Sequence, residues 1–173
     1  AHRYDDAGEY GVSYRDSARQ PGVDLGAESR LAYAFHMLLG HHGVFLLTPI
    51  WLLSVAGIAI WLARREDRMQ GVGLMFLGLS LLILAFYIAR PLKDRNYGGV
   101  CCGLRWIFWL IPIWTLALLP ACDWIAQRRG LRYLALVLLL GSAISSAYAS
   151  LNPWTHPWIY VYWQYLEWVP GVK

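Results

Sequence analysis

Four apolar stretches of close to twenty residues, about Val44 to Leu62, Val72 to Ala89, Trp106 to Ile125 and Leu131 to Ala149, constrain this chain more than any motif in it. Each is bounded by Trp, Tyr or Arg and has the length that crosses about 30 Å of hydrocarbon at about 1.5 Å per helical residue. In lipid no water is available to backbone N–H and C=O groups, so each stretch must satisfy them internally, which selects helices; the alternation of a β-barrel is absent. The expected fold is all-α, an integral membrane protein with four transmembrane helices.

Hydrophobic residues make up 58% of the chain and charged ones 15%, so the bilayer rather than a large soluble core supplies the apolar environment. A net charge of +4 without a polar domain points to lipid headgroups or anionic substrates as partners, and excludes nucleic acid. Cys101, Cys102 and Cys122 make no disulfide framework, because an adjacent pair closes only a strained ring. Ala1-His2-Arg3 opens a polar stretch with no apolar signal core. Four spans also offer few walls for a substrate cavity, so other membrane subunits or a missing N-terminal portion are expected beside this chain.

Three regions follow. Residues 1–43 form an extramembrane N-terminal segment, irregular through residue 26, with a short interfacial helix at about 27–39: Leu31, Ala34, Phe35 and Leu38 recur at helical spacing and Gly40 stops it. Residues 44–150 hold the four transmembrane helices, with Pro49 expected to kink the first and Gly141 and Ser145 offering a small-residue contact on the fourth. Residues 151–173 are an aromatic interfacial tail whose helix, at about 153–168, is expected to start at Asn152-Pro153 and to lie at headgroup depth.

Positive charge alone does not orient the chain, but the short basic turns at 64–70 and 127–132 suit a cytoplasmic side. Both termini are then extracytoplasmic, in a bacterial inner membrane. That side collects Arg90, Lys93, Arg95, Tyr97, Arg105, His41 and His42. Guanidinium forks bind phosphate bidentately and a lysine adds a point charge, so these residues are the expected site for a lipid phosphate, a polyprenyl phosphate in particular. A metal reading of His41-His42 meets an obstacle of spacing. Neighbours on one helix point about 100° apart, His36 lies five and six residues earlier, and no His-x3-His or Cys-x2-Cys pattern accompanies them. No metal and no cofactor are expected. Nor is a catalytic residue: Asp94, between Lys93 and Arg95, is expected to be neutralised by its neighbours.

The string Gly40-His41-His42-Gly43-Val44-Phe45-Leu46-Leu47-Thr48-Pro49-Ile50-Trp51, followed one span later by Tyr97-Gly98-Gly99-Val100-Cys101-Cys102-Gly103-Leu104-Arg105, resembles the later part of polytopic membrane glycosyltransferases that use lipid-phosphate sugars, the GT-C superfamily. The similarity covers roughly residues 36 to 125. It implies kinship with the C-terminal portion of such an enzyme, or with a descendant that kept the scaffold. The acidic catalytic residue of that family lies in the first extracytoplasmic loop after an initial span and matches no position here. The expected function is therefore a non-catalytic membrane subunit or scaffold module derived from a glycosyltransferase-like protein, docking neighbouring subunits and lipid. The alternative is the C-terminal part of a lipid-phosphate-sugar dependent glycosyltransferase.

Overall fold

The structure, a computed structural model, describes residues 28–64, 67–99 and 101–168, with Asp67 and Lys93 described in their backbone alone. The expected irregular segment before residue 27 and the end of the tail, 169–173, lie outside the described residues. The α-helices are α1 (Arg30–Leu38), α2 (Val44–Leu47), α3 (Trp51–Ala63), α4 (Asp67–Ala89), α5 (Ile111–Ala126), α6 (Arg129–Leu151) and α7 (Trp158–Tyr165). Short 3-10 segments occupy Leu92–Asp94 and Arg105–Leu110, and no strand is found among the described residues. The all-helical expectation holds.

Among the described residues, three helices are long and apolar enough to cross a membrane: Arg68–Ala89, Arg105–Ala126 and Arg129–Leu151. The first predicted span differs, because it is two helices rather than one kinked helix. Pro49 has no N–H to continue the ladder and disfavours helical geometry at the residue before it, and Thr48 sits at φ −134°, ψ 71°. The Ile50 N–H donates instead to the Ser142 hydroxyl at 2.9 Å. What remains, α3, has 13 residues, too few to span alone.

α3 packs between α4 and α5. Gly57 makes the approach to α5 possible, since a Cβ there would collide with the Ala117 carbonyl oxygen. A run of buried hydrogen bonds crosses the three helices: Ser54 donates to the Trp114 carbonyl at 2.7 Å, the Trp114 indole donates to Ser80 at 3.0 Å, and Ser80 donates to the Phe76 carbonyl at 2.7 Å. α6 joins through small residues: Gly141 lies against Pro49, and Ser142 and Ser145 are buried. Its other face exposes Leu134, Leu136, Val137, Leu139 and Leu140, as a lipid-facing helix does.

α1 begins at Arg30, about three residues later than the sequence spacing implies, because the Ser29 hydroxyl accepts from the Ala32 N–H and caps the helix there. It docks over the bundle end, burying Tyr33 and Met37 fully while Leu31 and Phe35 stay exposed. The tail helix is shorter than expected. Asn152 accepts the Trp154 N–H in a turn rather than starting a helix, and α7 begins only after Pro157. Tyr160 and Ile159 of α7 face inward, and Tyr165 and Trp168 stay outside.

Candidate functional sites at one end of the bundle

α1, α2, the 90–105 loop and α7 meet at one end, and the predicted site residues other than Lys93 divide there into two groups. The first group is packed. Tyr97 is fully buried, stacked on His42 with ring centroids 4.6 Å apart and planes 9° apart, and tilted against Tyr33 at 5.0 Å. Its hydroxyl donates to Glu28 Oε2 at 3.4 Å. Arg95, also buried, donates from Nη1 to the Glu28 carbonyl at 2.8 Å and lies over the Tyr33 ring. The Asn96 carbonyl accepts from the Tyr33 hydroxyl at 2.8 Å and the Trp106 indole at 2.9 Å, which fastens this loop to α1 and to the start of the Arg105–Ala126 span.

Three imidazoles share the packed region. The His36 and His41 rings stack at 4.1 Å between centroids, and the Nδ1 atoms of His41 and His42 lie 2.6 Å apart, so one of them donates a proton to the other. Burial disfavours the charged form. Burial, with His36 and His156 nearby, lowers the His41 pKa to about 3, and burial with its histidine neighbours lowers that of His42 to about 2. His36 is lowered too, by burial. The same cause pushes Tyr33 up to about 12 and Tyr97 above the ordinary phenol range, with Glu28 adding to it for Tyr97. Burial thus favours the neutral form of all three rings beside Glu28, with one hydrogen bond, between His41 and His42, among them.

The second group is less enclosed, with Arg90 half-buried. Arg90 lies over the Tyr87 and Trp106 rings at 5.9 Å from each centroid. Arg105 is exposed, lies over Trp154, and runs across the turn at Gly98 and Gly99. Those glycines have φ of 108° and 80°, and a Cβ on Gly98 would meet Arg105 at 3.2 Å. Only glycine combines that conformation with that clearance. Arg105 also edges an apolar cavity of about 390 Å³ between α2, the residues 101–111 and α6, lined among others by Leu47, Trp51, Cys102, Phe108 and Ser146.

Sequence reasoning did not anticipate Glu28, Tyr33 or the pairing of His36 with His41. Spacing along one continuous helix keeps these rings apart, whereas α1 ends at Leu38 and the chain turns back at Gly40, where a Cβ would collide with the His36 ring. The Gly40 stop was the available signal. Comparison with known proteins adds no relative: no family model, no curated protein and no solved structure matches this chain.

Proposed function

We propose that this chain is a non-catalytic module of a larger membrane assembly that holds an anionic lipid, a polyprenyl phosphate in particular. The observation that carries this reading is the pairing of Arg105 with the cavity beside it. An apolar space between helices accepts hydrocarbon chain, and a guanidinium at its edge meets a phosphate with a bidentate fork. Arg90 and Lys93 add positive charge on the same loop, while Arg95, Tyr97, His41 and His42 form the packed base under the Gly98–Gly99 turn that aims Arg105.

In this reading α2 and α3 together make a fourth, broken crossing. Tyr160 of α7 lies 5.7 Å from His41 and Trp163 lies 6.2 Å from His36, so both ends of the described chain meet at one end of the bundle. An even number of crossings has that consequence. We place this end outside the cytoplasm of a bacterial inner membrane, because the turns at 64–70 and 127–132 are short and basic. A second reading, the C-terminal part of a lipid-phosphate-sugar glycosyltransferase, is favoured by the Tyr97-Gly98-Gly99 turn and the arginine laid across it.

The test is retention of a polyprenyl phosphate by the purified chain. Arg105→Lys keeps the charge and loses the fork, and should weaken binding about tenfold, the loss of one charged hydrogen bond of about 1.5 kcal/mol. Ser146→Trp should fill the cavity and abolish retention. Unchanged binding in both variants overturns the reading. Transfer of sugar from a polyprenyl-phosphate donor by the purified chain would instead establish the second one.

A further inference from the structure

We propose that Glu28, His36 and His41 bind one divalent transition-metal ion, zinc by donor class, where α1 docks on the bundle end. One carboxylate oxygen and one ring nitrogen from each histidine already lie within 4.8 Å of one another. A tetrahedral ion at about 2.0–2.1 Å from each ligand holds them about 3.4 Å apart, so closure needs movements of about an ångström or slightly more. The carboxylate arm of Glu28, which precedes the α1 cap, can supply part of that by torsion. The His36 and His41 planes, now 21° apart, must open further so that their lone pairs converge.

The surroundings hold two of the three ligands, Glu28 and His41, as metal sites do. Ligating groups are characteristically oriented by hydrogen bonds from a second layer of residues. Tyr97 donates to Glu28 Oε2, and His42 Nδ1 lies 2.6 Å from His41 Nδ1. When His41 donates that proton, its remaining nitrogen carries a lone pair for the ion. The buried Nδ1 of His36 has no hydrogen-bond partner, so that ring has polar capacity left unmet by the protein. Two imidazoles and a carboxylate suit zinc, cobalt or nickel; magnesium and calcium prefer all-oxygen sets. Three protein ligands leave a fourth position for water or an anion. His36 and Glu28 are only half-buried, which leaves a route for the ion from the aqueous side.

This inference does not rest on the lipid reading, and its test measures metal directly. The full chain, purified without a polyhistidine tag, is stripped with chelator, reloaded with Zn²⁺ and assayed for metal content; Co²⁺ is then substituted to record its ligand-field bands. One ion per chain is expected, with tetrahedral cobalt bands. Glu28→Gln, His36→Gln and His41→Gln should each weaken Zn²⁺ binding at least about tenfold, whereas His156→Gln should retain it. Metal-free melting curves identify any variant that has lost its fold; if His41→Gln does so, Glu28→Gln and His36→Gln carry the test alone. Failure of the unaltered chain to hold stoichiometric Zn²⁺, or unchanged affinity in Glu28→Gln and His36→Gln, overturns the proposal.

Discussion

His42 and Tyr97, fifty-five positions apart, stack face to face at 4.6 Å between centroids, and both side chains are fully buried. One precedes the first apolar stretch and the other follows the second, so the contact ties the 90–105 loop to the turn that leads into α2. Arg95 and Tyr33 extend the same packing to α1. The cationic loop is therefore a structured floor with Arg105 on its outer surface.

Removal of the Tyr97 ring should be costly. Tyr97→Ala empties a site between Tyr33, His41 and His42 and should destabilise the fold by about 3–5 kcal/mol, the usual loss for a buried aromatic. Tyr97→Phe keeps the ring and deletes only the long bond to Glu28, with a loss of about 1 kcal/mol or less. Denaturant midpoints in detergent separate the two; equal losses would mean that the hydroxyl, not the ring, holds the loop.

Glycines in the helices should behave oppositely according to their surroundings. Gly57→Ala places a methyl where the Ala117 carbonyl stands and must push α3 from α5, at a cost of about 1–3 kcal/mol. At Gly71 and Gly78 of α4 nothing lies within 4 Å of an added Cβ, so alanine there should be neutral or stabilising by up to about 1 kcal/mol through helix propensity. Thermal unfolding of the single variants checks this. A neutral Gly57→Ala would mean that the two helices are not in close contact.

Helix class and the positions of the three long helices were legible because hydropathy over about twenty residues reports the solvent directly. The small residues Gly141 and Ser145 mark a packing face in the sequence and form one in the structure. Pro49 in the sequence implies a kink rather than the break found at Thr48–Ile50, since proline alone does not reveal that Ser142 takes up the Ile50 N–H. The α7 start was misplaced because Asn-Pro caps a helix and makes a turn equally well, and Pro157 decides between them. Of the predicted site residues, sequence could not separate buried Arg95 from exposed Arg105, as both sit in one polar loop and only tertiary packing distinguishes them.

Topology is open to labelling. Single cysteines at Leu39 and Tyr165, both exposed, should react with an impermeant thiol reagent from the same side, and one at Gln127 only from the other. If α2 and α3 do not cross, Leu39 shares a side with Gln127 instead. That result would reduce the chain to three crossings.

Cys102 can report on the cavity. It lines the apolar space and donates from Sγ to the Asn152 carbonyl at 3.2 Å. Burial raises its pKa above the ordinary thiol value, so less of it is thiolate at neutral pH than for a free cysteine. Because the thiolate is the nucleophile, alkylation should be slow at pH 7 and should rise about tenfold per pH unit until the raised pKa is passed. With Cys101 and Cys122 replaced by serine, the rate is read at one site. Polyprenyl phosphate should slow it further at every pH by covering the sulfur, and Arg105→Lys should weaken that protection. A rate indifferent to the lipid would show that the cavity beside Arg105 is not where the hydrocarbon goes, whatever the phosphate contacts.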